Sequence, residues 1–333
     1  MSTTSAPPQS ARGTDARMRW MDMLRGLAVL LVVVLHAADI PMSNGSGSQE
    51  WSHFNRYFEP FRMPLLMLLS GMLLPRALSK PAAYYIRGKL AAVVWPWLLW
   101  MVGYGFLVHH AGPGNLNYWL TGGSYLWFLG VLTMCYAVGL AFRPGASRPL
   151  VLLVGCPALA AAMLATRHFT DWDLTLINRF LYYGAFFFLG AAVVHFAGRW
   201  VRAPWPLILL LAAPAAVLSH YGVSNVELRF GTLCSAGTAV LGLAVLLWAA
   251  PRIYELRLAP RPLLRLLEWA GRNSIVIYVV HMPAVVLVHR QLSGLDLGAF
   301  AHVSLVTAAA LGISLLAARL RPWTGWLYVF PRR

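Results

Sequence analysis

The sequence predicts an all-α integral membrane protein, a single bundle of about ten transmembrane helices with both termini cytoplasmic, and three observations carry that expectation. Hydrophobic residues make up 59% of the 333 and Asp, Glu, Lys and Arg only 11%, whereas a soluble domain carries roughly 25% charged residues. A soluble globule of this composition would expose large apolar patches that a bilayer solvates directly. The apolar residues fall into successive runs of about twenty, the length that crosses a hydrocarbon core. The basic residues, finally, gather on one side of the alternating chain.

Taken in order, residues 1–19 are rich in Ser, Thr, Pro and Arg without an apolar face, and are expected to form a flexible cytoplasmic arm. The run from Trp20 to Ile40 is long enough to span and is followed by others like it, so it reads as a first transmembrane helix and not as a signal peptide. Further spans are predicted to begin near Phe54, Gly88, Tyr125, Pro149, Phe180, Pro204, Phe230, Asn273 and Phe300. The second, fifth and sixth of the ten contain proline or abut charge. The transmembrane domain covers 20–320, and 321–333 form a short basic cytoplasmic tail. External connections are short, the longest running from about Asp39 to His53 and from about His109 to Ser124, which confines any chemistry to the bundle.

A formal net charge of +16 suits either nucleic-acid binding or membrane orientation, and position decides between them. Of the 27 Lys and Arg, only Arg56, Arg62, Arg167, Arg179, Arg229 and Arg290 fall on the external side of a ten-helix arrangement. That asymmetry supports the even count and the cytoplasmic termini, makes the bilayer the partner of the charge, and removes nucleic acid from consideration. Cys135, Cys156 and Cys234 are well separated inside apolar runs, so neither a disulfide nor a metal cluster is expected. His53, His109, His110, His168, His195, His220, His289 and His302 lack metal-ligand spacing and read as interfacial or packing residues.

The first span carries an ordered set of polar residues. At about 100° per residue, the eleven steps from Arg25 to His36 return to within roughly 20° and cover about 16 Å. Asp22 and Asp39 lie three residues outside this pair, so acid, guanidinium, imidazole and acid line one stripe of an apolar helix, which must face the protein interior. A neutral imidazole there can take a proton from a hydroxyl as general base, and Asp39 is the carboxylate available to orient it.

Asp22-x-x-Arg25-Gly26 with His36 at its spacing resembles the first helix of the acyltransferase type 3 family, polytopic membrane enzymes that acylate hydroxyls. Phe61-Arg62-Met63-Pro64 through Ser70-Gly71 is similar to that family's second helix, where a small pair permits close packing. Leu126-Trp127-Phe128-Leu129, and Gly271-Arg272-Asn273-Ser274 with Tyr278 and His281-Met282-Pro283, resemble two later segments. The chain departs from the family pattern at the third helix, where Arg87 and Lys89 are followed by no charge before Pro96.

The resemblance implies an acyl-CoA co-substrate, expected to be acetyl-CoA, and a hydroxyl acceptor on a glycan, glycolipid or small natural product, in a plasma or inner membrane. Arg87 and Lys89, with Arg25 deeper, are then the candidates for the CoA phosphates. Arg25, Ser70 and Tyr278 are candidate donors to the oxyanion. His281, well inside its helix, is a second base, a proton relay or a packing contact. Asn115-Leu116-Asn117-Tyr118-Trp119 with Tyr125 and Trp127 can stack on a sugar ring, but an interfacial aromatic belt is the favoured reading of them. A transporter or flippase is the alternative of a different class, but the repeated halves with broken helices that it would often show are absent. A third reading keeps the fold as a non-catalytic acyl channel, against which Arg25 and His36 argue.

Overall fold

A computed structural model describes residues 10–108, 115–146, 148–169, 175–225 and 231–331; side chains of 10–18, of 163–169 and of a few other positions are not among those described. His109, His110, Arg229, Arg332 and Arg333 lie outside the described residues, as do the side chains of Arg167 and His168. Among the described residues there is no strand, and nine helices are long and apolar enough to cross a membrane. The ten main helices are α1 (Ser10–Ser43), α2 (Gln49–Gly71), α3 (Ala82–Lys89) continued through a π-turn into α4 (Trp95–Leu107), α5 (Trp127–Ala141), α6 (Pro149–Phe169), α7 (Thr175–Val193), α8 (Trp205–Ser224), α9 (Leu233–Glu255), α11 (Ser274–Leu292) and α12 (Ala299–Arg319), with the short α10 (Arg261–Arg272) between α9 and α11. α6 occupies the place of the fifth predicted span and is not one of the nine.

Helix boundaries differ from the expectation where local chemistry extends them. α1 is helical from Ser10, so the arm expected to lack structure as far as residue 19 continues the helix of the span behind it. Propagation from a formed helix costs far less than nucleation. α2 begins at Gln49, some residues before the predicted start, because Ser48 caps it by accepting from the Trp51 N–H (3.3 Å) and Glu50 lies in the first turn. In the third span Pro96 has no N–H to return to the preceding turn, and the helix widens to a π-turn over Leu90–Val94.

The charge-rich connection after α9 contains the amphipathic helix α10, which buries Leu264, Glu268, Ala270 and Gly271. α10 lies against α1 backbone to backbone: a Cβ at Gly26 would strike the Leu267 carbonyl, and one at Gly271 the Asp22 carbonyl. The predicted close packing at Ser70-Gly71 has the same basis, since a Cβ on Gly71 would meet the Phe187 carbonyl of α7. Basic residues at the two ends of the bundle are held by hydrogen bonds and an ion pair. At one end Arg143 donates to the carbonyls of Leu78 and Lys80, Arg321 to Asn273 Oδ1 (3.1 Å), and Arg272 pairs with Glu268. At the other, Arg56 donates to the Val223 carbonyl (3.2 Å) and Arg290 to that of Val108 (3.4 Å). His289 and His302, expected to be interfacial or packing residues, are hydrogen-bonded to each other at 2.9 Å between α11 and α12.

Candidate active site

α1 delivers Arg25 and His36 to two internal cavities, as their common helical face requires. Arg25 lines a cavity of about 140 Å³ with Ser70 of α2, Phe128 and Leu132 of α5, and Ser274 and Tyr278 of α11. His36 lines a larger cavity of about 210 Å³ with Trp127, Tyr125 and, again, Tyr278. Tyr278 is therefore a wall common to both. It is clasped in place: its hydroxyl donates to the Tyr125 carbonyl, and the Tyr125 hydroxyl donates to the Val279 carbonyl (2.6 Å).

His281 lies one turn further along α11, and its ring centroid is 5.2 Å from that of His36 and 5.3 Å from that of Tyr125, which meets it edge-on. His281 is fully buried. Its Nδ1 faces the Tyr278 carbonyl, which can only accept, so the ring proton belongs on Nδ1; Nε2 is buried without a hydrogen-bond partner among the described residues. A buried nitrogen that nothing satisfies is costly in a bilayer, and sites of this kind are generally functional. His36 makes no hydrogen bond among the described residues and keeps part of its surface open to the cavity.

The remaining predicted residues divide. Arg25 is half of an ion pair with Asp22 (3.0 Å), one turn back on α1. Asp39 forms no hydrogen bond with His36; it is exposed one turn beyond it, in the field of Arg62, Arg56 and Glu59, so the orienting role expected of it is not visible in the geometry. Ser70 and Tyr278 line cavities, but both hydroxyl protons are already donated to backbone carbonyls, Ser70 to Leu66 at 2.7 Å and Tyr278 to Tyr125. That geometry disfavours either as an oxyanion donor. Trp127 faces the His36 cavity, stacked on Tyr183 (4.9 Å between centroids) and covered by the Arg179 guanidinium (4.8 Å). Lys89 places its ammonium 3.4 Å from the Tyr136 ring centroid at a separate cavity of about 150 Å³, whereas Arg87 is exposed and lines none of the cavities described here.

Sequence reasoning passed over several cavity-lining groups. Arg62 is buried (3% exposed) and bonded to Asn55 Oδ1 at 2.9 Å; with Arg179, Glu59, Tyr182 and Tyr183 it surrounds the space in front of His36. Arg62 and Arg179 did carry a signal, since both belong to the few basic residues on the external side, where the orientation rule supplies no reason for them. Among the described residues, no group of three or more His, Cys, Asp or Glu is placed to hold a metal ion.

Inner membrane protein YcfT of Escherichia coli (strain K12) is 30% identical over 87 residues, covering 23% of this chain and 24% of that protein. The chain thus matches only about a quarter of that relative's length. No solved structure matches. The family model described as acyltransferase domain matches residues 18–319, almost from the start of the first span to the end of the last, and the chain belongs to that acyltransferase family.

Proposed function

We propose that this multi-pass membrane protein is an O-acyltransferase that moves an acyl group, with acetyl as the expected case, from acyl-CoA to a hydroxyl of a glycan, glycolipid or small natural product. The observation that carries the reading is the pairing of His36, open to a cavity, with the buried and unsatisfied imidazole of His281 at 5.2 Å, inside a chain of the acyltransferase family. The inner-membrane location in the relative's name, together with the charge asymmetry, supports a cell-membrane setting with the arginine-rich end in the cytoplasm.

In this scheme the thioester arrives from the arginine-rich end past Arg25, and the acceptor enters the His36 cavity from the opposite end. The imidazole of His36 takes the acceptor's hydroxyl proton as the oxygen bonds to the thioester carbon. The carbonyl electrons move onto oxygen as the oxyanion; their return breaks the carbon–sulfur bond, and the departing CoA thiolate recovers the proton from His36. Ester and free thiol are the products, and His36 ends neutral. With the Ser70 and Tyr278 protons committed to backbone carbonyls and Arg25 in the other cavity, the positive field of Arg62 is what remains in the His36 cavity to favour the oxyanion, and Arg25 is left the role of guiding the donor. His281, its Nδ1 proton fixed by the Tyr278 carbonyl, presents Nε2 as a relay or positioning group for His36.

The test is thiol release and label transfer from acetyl-CoA by purified protein in liposomes. His36→Ala is expected to lower kcat by about 10²–10⁴-fold, the usual contribution of a general base. Arg25→Ala is expected to impair both turnover and donor use. Wild-type protein that neither binds nor cleaves any acyl-CoA overturns the reading in favour of transport.

A further inference from the structure

At the arginine-rich end a cavity of about 790 Å³ opens between the foot of α12, the end of α10 and the segment 325–331. It is the largest described and falls within the roughly 300–1,000 Å³ typical of small-molecule sites. Two indoles, Trp269 and Trp326, and two guanidiniums, Arg319 and Arg321, line it with Asn273.

These walls are built. The segment carrying Trp326 is tied to the third span by three bonds: the Trp95 indole donates to the Trp326 carbonyl (2.7 Å), the Trp100 indole to that of Leu327 (3.1 Å), and the Phe330 N–H to the Ala91 carbonyl within the π-turn (3.0 Å). Arg321 is fixed through Nη1 to Asn273 Oδ1 (3.1 Å) and to the Arg272 carbonyl (3.5 Å), which leaves Nε and Nη2 without a hydrogen-bond partner among the described residues. Arg319 is exposed and likewise without a hydrogen-bond or ion-pair partner among them. No acid lines the cavity, in contrast to the neighbouring 370 Å³ arginine cleft around Arg261 and Arg265, whose walls include Glu255 and Glu268.

Position supplies the rest of the argument. Asn273 lines this cavity while the next two residues, Ser274 and Ile275, line the Arg25 cavity, so the two cavities approach each other at the junction of α10 and α11. A ligand suited to such a site has a planar aromatic, polyanionic head and a thin extended tail. We propose that the cavity binds the adenosine 3′,5′-bisphosphate portion of CoA, with adenine against the tryptophans and phosphates on Arg319 and Arg321, and that the pantetheine arm leaves past Asn273 toward Arg25. This assignment rests on the acyl-CoA reading. It moves the nucleotide contact away from Arg87, which is exposed, and Lys89, whose charge is spent on a tyrosine face. A phospholipid headgroup would satisfy the guanidiniums but leave the indoles without a planar partner.

The experiment compares acetyl-CoA with S-acetylpantetheine, which lacks the nucleotide, using full-length protein in phosphatidylcholine nanodiscs. Arg319→Gln with Arg321→Gln is expected to reduce the ratio of kcat/KM for acetyl-CoA to that for S-acetylpantetheine by about tenfold or more, the worth of a charge-assisted bond or two. Trp326→Ala should shift the same ratio in the same direction, and adenosine 3′,5′-bisphosphate should compete with acetyl-CoA in wild type more strongly than in the double variant. An unchanged ratio overturns the proposal, as does an equal fall with both donors, which marks a structural role. Dependence of the effect on added phosphatidylglycerol assigns the cavity to lipid and also overturns it. If wild type consumes neither donor, calorimetric binding of the bisphosphate separates the two readings: binding lost in the double variant sinks acyl transfer alone, and no binding sinks both.

Discussion

Tyr278 shows how much a single hydroxyl can decide. It lines both cavities, which makes it look like a donor to the reacting carbonyl, yet its proton is already given to the Tyr125 backbone. Tyr278→Phe is therefore expected to cost about 1 kcal/mol of stability, read as a fall in Tm. Its kcat should drop by less than about tenfold, whereas removal of a true oxyanion donor costs about 10²–10³. A loss in the larger range, measured as initial rates at saturating acetyl-CoA, would restore Tyr278 to the chemistry. At this scale the Arg25–His36 pairing was legible, because helical periodicity alone places two residues eleven apart on one face. The roles given to Asp39, Ser70 and Tyr278 were not, because a residue type states what a side chain is able to donate and only its neighbours state what it has already donated. His281 facing His36 is a contact across 245 positions that no local pattern encodes.

At the scale of elements, the crossing of α1 and α10 holds Asp22 and Arg25 in register with the foot of α11. Gly26→Leu would drive a side chain into the Leu267 carbonyl, and overpacking of this kind costs about 1–3 kcal/mol. The variant should unfold at lower temperature in detergent and lose donor turnover together, while Gly312→Ala, inside α12 and with nothing within 4 Å of its Cβ, should be at least as stable as wild type. Equal stability of the two variants in a thermal melt would show that the glycine contact is dispensable. The starts of most spans were readable because each requires about twenty apolar residues. α10 escaped that reading because it is twelve residues long and polar on one face, and its burial comes from α1 and not from lipid. The π-turn escaped it as well: Pro96 announces a missing N–H, but how the helix absorbs the defect depends on the segment docked against it.

For the whole molecule, charge asymmetry predicts an orientation that labelling can test. In a background with Cys135, Cys156 and Cys234 replaced by Ala, Gly298→Cys is expected to react with a membrane-impermeant maleimide from outside intact cells. Arg257→Cys should react only after permeabilisation. The reverse pattern would invert the proposed path of donor and acceptor.

The Tyr278–Tyr125 clasp carries one more consequence. An enzyme with hollows approaching from both ends of a bilayer risks short-circuiting the ion gradients that the membrane exists to keep. Here the hollows share a wall whose two hydroxyls are tied to backbone carbonyls, backed by the buried ring of His281. Such a septum stands between the two hollows against protons and ions, and what must pass it in the proposed reaction is the uncharged end of the pantetheine arm with its acyl thioester. Electrical insulation and acyl traffic are then served by one tyrosine.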